Sequence, residues 1–259
     1  MISQQSSSSS SKNSENDELA PIATERAYTL IRKYGWFITL FIGIGGQFYP
    51  QIGLLAPFIM VAMISISFFK GLYFCGNFCP HGSYFDVPLL QISPTKKVPD
   101  FLKSKFFAGF VLIFFLINFS WRLISAIQAS GDPLHIRLGS VFANIYLVIL
   151  LVATLLGVVK NSRTWCHFCP MRTIQIGIYN LGKKLGVTSK YDEMVNIKDR
   201  DGCIECGRCS KVCPLELKPY PTLKYKQENP YLEEDHCMRC RVCVKECPAE
   251  VLELSETNK

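Results

Sequence analysis

The sequence predicts an all-helical membrane domain of four transmembrane helices, arranged as two repeated hairpins, followed by a small soluble domain organised on cysteine. Three observations carry this. Of 259 residues, 49% are hydrophobic and only 19% charged, where a soluble chain of this size would carry about a quarter charged residues. Residues 34–69, 106–121 and 138–159 contain no Asp, Glu, Lys, Arg or His, and uncharged runs of that length match the hydrocarbon thickness of a bilayer. Eight of the 12 cysteines fall between Cys203 and Cys247 in two like-spaced groups. Core helices of a large soluble protein would need more polar chain to wrap them than exists here.

Taken in order, residues 1–25 form a polar, Ser-rich tract that reads as a disordered cytosolic tail. It lacks the basic, apolar and cleavage regions of a signal peptide, so the cysteines do not read as a secreted disulfide scaffold. The membrane domain is expected over 26–170, with spans at about 34–49, 52–70, 106–127 and 138–159. The run 34–69 exceeds one span, and Gly45, Gly46 and Pro50 break it near its middle, while Arg32, Lys33 and Lys70 can snorkel to lengthen both helices. Gly131, Asp132, Pro133 and His135 supply the turn of the second hairpin. Beyond it, Ile174, Ile178, Leu181 and Leu185 recur at helical spacing beside Lys183 and Lys184, so 171–190 reads as an interfacial amphipathic connector to a soluble domain over 191–259.

Charge sets the orientation. One face of the four-helix arrangement collects 13 basic residues, among them Arg32, Lys33, Lys70, Lys103, Lys105 and Arg163, and the other only Arg122 and Arg137. The positive-inside rule then places both termini and the soluble domain in the cytoplasm, for a multi-pass protein of the cell inner membrane. Residues 1–189 hold 16 Lys and Arg against 7 Asp and Glu, and 190–259 hold 12 against 14. That asymmetry suits a basic membrane collar and argues against nucleic acid as a partner.

Each hairpin ends alike: a Lys, then a cysteine pair and a Pro, as Lys70 with Cys75, Cys79 and Pro80, and Lys160 with Cys166, Cys169 and Pro170. The hairpins therefore read as a duplication about an axis along the membrane normal. Equivalent helix ends on one face let Cys75, Cys79, Cys166 and Cys169 meet, where an iron-sulfur cluster, a mononuclear iron or zinc would each accept four thiolates; unmetallated packing thiols are the plainer alternative.

The soluble domain carries Cys203-x2-Cys206-x2-Cys209-x3-Cys213-Pro and, after 23 residues, Cys237-x2-Cys240-x2-Cys243-x3-Cys247-Pro. This is the ligand spacing of a two-cluster bacterial ferredoxin, in which the fourth cysteine of each group serves the other cluster. Cys203, Cys206, Cys209 and Cys247 are expected to hold one 4Fe-4S cluster, and Cys237, Cys240, Cys243 and Cys213 the second. Zinc also takes CxxC pairs, but its sites seldom repeat three spaced cysteines and a Cys-Pro. Arg208, Lys211, Arg239, Arg241 and Lys245 flank the loops and read as solvated surface.

FCGNFCPHG at 74–82 and WCHFCP at 165–170, followed by the double ferredoxin pattern, resemble the polyferredoxin integral-membrane proteins that include the quinol dehydrogenase membrane subunit of periplasmic nitrate reductase systems. The membrane electron donor of nitrous oxide reduction and the copper-handling accessory protein of cytochrome oxidase assembly share these modules. The likeness covers about 34–254, and departs from the family where only two residues separate Cys166 from Cys169. The resemblance implies electron exchange between quinone or another membrane partner and redox protein partners, as a subunit of a quinone-linked oxidoreductase complex. An accessory role in metal reduction or cofactor maturation, or an anchor for a ferredoxin-type enzyme, are the other functions weighed. His81 and His167 stand beside the cysteine pairs and could hydrogen-bond a quinone head group, with Asp86 and Arg172 nearby; such interfacial groups otherwise anchor helix ends. No nucleophile–base pair or phosphate loop is present, which argues against bond-making catalysis.

Overall fold

A computed structural model describes residues 29–219, 232 and 235–256, so the polar tail of 1–25 lies outside the described residues. The described residues open with short helices α1 (Leu30–Tyr34) and α2 (Trp36–Leu40), a π-helical turn Phe41–Gly45, and α3 (Gly46–Phe48). Thr29 caps α1 by accepting from the Arg32 amide. Backbone of right-handed helical geometry thus runs through the expected first span, with a turn at Gly35 and a π bulge at 41–45. Gly35 marks one junction, and the π turn falls in the glycine-containing stretch 41–46, where backbone without Cβ deforms at low cost. The chain reverses at Tyr49, and Pro50 starts a 3-10 turn, Pro50–Leu54, that runs into α4 (Leu55–Lys70).

After Lys70 come α5 (Tyr73–Asn77), α6 (Pro80–Asp86), α7 (Pro88–Ile92) and α8 (Asp100–Lys103). Two long helices follow, α9 (Lys105–Gln128) and α10 (Leu134–Val159), then α11 (Pro170–Lys184) and α12 (Thr188–Tyr191). Three of the described helical stretches are long and apolar enough to cross a membrane: Pro50–Lys70, α9 and α10. No residue of α9 is buried, and Trp121 and Phe106 are 75% and 86% exposed, as lipid-facing side chains would be. The first hairpin packs on α10 through close backbone approach. A Cβ placed on Gly139 would overlap the Pro50 carbonyl, and one on Gly53 the Gly139 carbonyl. Small residues at such crossings let membrane helices touch without a hydrophobic driving force.

Within the stretch expected as an interfacial connector, Pro170–Lys184 forms helix α11, with its polar side toward the protein. Arg172, Gln175, Tyr179 and Gly182 form its buried face, while Leu181 and Leu185 of the apolar stripe are exposed. The polar face packs against α4, where Ser67 Oγ donates to Gln175 Oε1 at 2.9 Å.

The C-terminal domain closes with one antiparallel pair, β1 (Glu193–Ile197) and β2 (Leu252–Glu256), in register from Glu193 opposite Glu256 to Ile197 opposite Leu252. Val195, Ile197, Leu232, Val251 and Leu252 form its core. The cysteine loops lie between the strands and carry two short helices, α13 (Arg208–Lys211) and α14 (Val242–Lys245).

Candidate iron-sulfur sites

Both cysteine loops wind through the same unusual backbone. Glu205 and Gly207 flank Cys206 at φ 56° and 67°, and Arg239 and Arg241 flank Cys240 at φ 54° and 62°. Glu216 and Glu250, each three residues past the Cys-Pro cysteine, repeat the left-handed turn at φ 54° and 52°. Non-glycine residues in this region carry backbone strain that surrounding structure must hold, and here it coils each loop about its sulfurs. The result is two small cavities. Cys203, Cys206, Cys209 and Cys247 line one of about 30 Å³, and Cys213, Cys237, Cys240 and Cys243 line one of about 20 Å³. Each set combines three cysteines of one loop with the fourth from the other.

The four membrane-end cysteines also come together. Cys79 and Cys169 are N-caps of α6 and α11, with Pro80 and Pro170 at the first helical position, so each Cys-Pro is a helix start. Cys75, Cys79, Cys166 and Cys169 line a cavity of about 130 Å³ that continues between α4, α9 and α10, walled by Met60, Met63, Phe115, Phe119 and Phe142. Three sulfurs receive nitrogen donors: Gln175 Nε2 to Cys75 at 3.1 Å, the Gly82 amide to Cys79 at 3.4 Å and Arg163 Nη1 to Cys166 at 3.5 Å. Burial pushes the Cys79 thiol up to about 11 and those of Cys166 and Cys169 to about 12. Cys75 is raised well above the usual thiol range by burial and by Cys79, Cys169 and Cys166. Burial alone thus favours the protonated thiols, and a bound cation would be needed to hold four thiolates here. All 12 cysteines are free thiols, as cluster ligation requires.

The remaining candidates separate. His81 lines the four-cysteine cavity, its ring centroid 4.2 Å from that of Tyr146, and burial lowers it to about 4, so its imidazole is neutral at neutral pH. His167 instead lines a different cavity, beside His236. Asp86 lines neither cavity; it sits in a buried ion cluster, accepting from Arg32 Nε at 2.9 Å and from Arg163 Nε and Nη2 at 2.8 and 2.7 Å. Arg172 lies against both cavities, and its Nη1 donates to the carbonyls of Cys166 and His167.

One reading of the sequence needs correction. Arg239, expected at the solvated surface, is 2% exposed. It donates to both Asp192 oxygens at 2.7 and 2.6 Å, to Tyr179 Oη at 2.9 Å and to the Cys237 carbonyl at 2.7 Å. A guanidinium can be buried when its donors are matched in this way, and here they tie the second cysteine loop to α11. Met238, which carries no sequence signal, lines both the four-cysteine cavity and the cavity of Cys213, Cys237, Cys240 and Cys243. Leu72, Leu215 and Met238 form one buried cluster against which Cys75, Cys166, Cys213 and Cys240 pack.

A family described as a 4Fe-4S dicluster domain matches residues 195–248, and one described as a 4Fe-4S binding domain matches twice, over 52–91 and 143–188. The chain is an iron-sulfur protein of ferredoxin-like character. Its chemistry is iron-sulfur electron transfer. The double match covers the second helix and cysteine pair of each hairpin, the segments read as a duplication. Neither the curated proteins nor the solved structures gave a match.

Proposed function

We propose that this protein is a membrane-bound electron-transfer subunit that connects a membrane-side partner, the quinone pool, to soluble redox partners through three iron-sulfur sites. Cys203, Cys206, Cys209 and Cys247 would hold one 4Fe-4S cluster, Cys213, Cys237, Cys240 and Cys243 a second, and Cys75, Cys79, Cys166 and Cys169 a third. Bound clusters supply one-electron carriers. The repeated three-cysteine spacing with a Cys-Pro, and the way each set of four cysteines rings one cavity, favour iron-sulfur clusters over zinc.

The observation that carries this reading is the position of Met238, one side chain lining both the membrane-end cavity and the nearer ferredoxin cavity. Leu72, Leu215 and Met238 form an apolar cluster against which cysteines of both sites pack, Cys75 and Cys166 on one side and Cys213 and Cys240 on the other. On the membrane side, the apolar walls suit a quinone ring and tail, and His81 offers an unpartnered Nε2 beside the cysteines. The donors on the sulfurs and the nearby guanidiniums of Arg163 and Arg172 favour the more negative, reduced state. The basic face supports a cytoplasmic ferredoxin domain, with the segment of α1–α3 completing a fourth crossing.

The test is anaerobic addition of oxidised quinone to chemically reduced protein in detergent, following the visible absorbance of the clusters. Fast reoxidation that is lost in Cys75→Ser and Cys169→Ser, with ferredoxin signals retained, is expected. Quinone-dependent reoxidation unchanged in both variants would show that the membrane-end site is not on the route.

A further inference from the structure

A further cavity, of about 450 Å³, lies between the start of α9, one side of α11 and residues 215–217 and 235–236. Its lining includes Lys103, Lys105, His167, Arg172 and His236. Three buried nitrogens there lack a hydrogen-bond partner among the described residues: Arg172 Nε, His167 Nε2 and His236 Nδ1. Arg172 is only 7% exposed, so its free donor is not satisfied by bulk water. Unmade hydrogen bonds of buried polar groups are costly, and these three belong to residues that line one cavity, where a single acceptor ligand could satisfy them.

The charge around the cavity selects the ligand. The two carboxylates that line it are already engaged: Glu216 accepts from Lys103 Nζ at 2.6 Å, and Asp235 accepts from Lys183 Nζ at 2.6 Å. That leaves Lys105 and the Nε side of Arg172 without a carboxylate partner among the described residues, beside two imidazoles. We propose that this cavity binds a phosphate-type anion, which would bridge Arg172 and His167 on the membrane side to His236 on the ferredoxin side and so clamp the two parts together. Its height supports a headgroup as one source. Lys105 is the first residue of a helix apolar enough to cross a membrane, and basic pockets at that level take anionic lipid headgroups. A free phosphate or phosphate ester offers the same chemistry. The site does not depend on quinone.

The test uses the full-length, cluster-loaded protein, stripped of lipid in a neutral detergent. Thermal unfolding is followed with inorganic phosphate against chloride at matched ionic strength. In parallel, native mass spectrometry follows retention of phosphatidylglycerol against phosphatidylcholine after transfer from nanodiscs. Stabilisation by phosphate, weakened at least tenfold in apparent affinity by Arg172→Gln and by the double variant Lys105→Gln/His236→Gln, is expected. The double variant leaves the Cys166 and His167 carbonyl contacts untouched and serves if Arg172→Gln does not fold. Selective retention of one phosphatidylglycerol identifies a lipid source, and phosphate stabilisation without lipid retention a soluble one. No response to either probe beyond its control, or an equal response in the double variant, overturns the proposal.

Discussion

Asp86 holds Arg32 and Arg163 in one buried cluster, joining the first helix of the chain to the loop that carries Cys166. Replacing it with Ala would strand two buried guanidiniums, a change that costs about 3–5 kcal/mol when a buried pair is broken. Asp86→Ala is therefore expected to lower the unfolding temperature sharply and to release iron from the membrane-end site first, as metal analysis against temperature would show. Gln175→Leu makes the opposite kind of change: it removes the donor to the Cys75 sulfur and leaves the fold's ion pairs alone. With one hydrogen bond to sulfur lost, the reduced form of that site is less favoured, so its midpoint potential falls while iron content is retained. The chemistry of these residues was only partly legible in sequence. The cysteine groups were legible because each lies in a short loop, whereas Asp86 and Arg239 act through partners 47 to 77 residues away and Met238 packs against Leu72, all beyond what a local pattern encodes.

At the scale of elements, the apolar runs and the matched cysteine pairs after them were visible because each is a local property, whereas the role of each Cys-Pro as a helix start emerged only in the structure. The π bulge within 30–48 was not visible, since a run without charge looks alike whether its helix is regular or bulged. The inward polar face of α11 was also hidden, because periodicity gives a stripe but not which side meets the protein. The crossing of Pro50–Leu54 on α10 rests on absent side chains. Gly139→Leu is expected to drive these backbones apart, costing several kcal/mol, about the scale of a serious core overpacking. Loss of detergent-solubilised monomer in size-exclusion chromatography, together with a lower unfolding temperature, would register it.

For the whole molecule, the two halves meet at Gly76, where a Cβ would overlap the Met238 carbonyl. Gly76→Val should therefore lift the ferredoxin domain from the membrane-end site without touching a ligand, keeping the iron content but slowing electron exchange between the two halves at least tenfold. A rate unchanged from wild type would mean that the contact is not on the route. The central claim, three sites in series, is tested most directly by an anaerobic redox titration of the full-length protein, followed by electron paramagnetic resonance together with iron and acid-labile sulfide content. Three cubane sites correspond to about twelve iron and twelve sulfide per chain. The account predicts that content and three reducible signals, with magnetic broadening between the membrane-end signal and the nearer ferredoxin signal that disappears in Cys75→Ser. About eight iron, two signals and a spectrum unaltered by Cys75→Ser would contradict it, leaving the membrane-end cysteines as structural thiols.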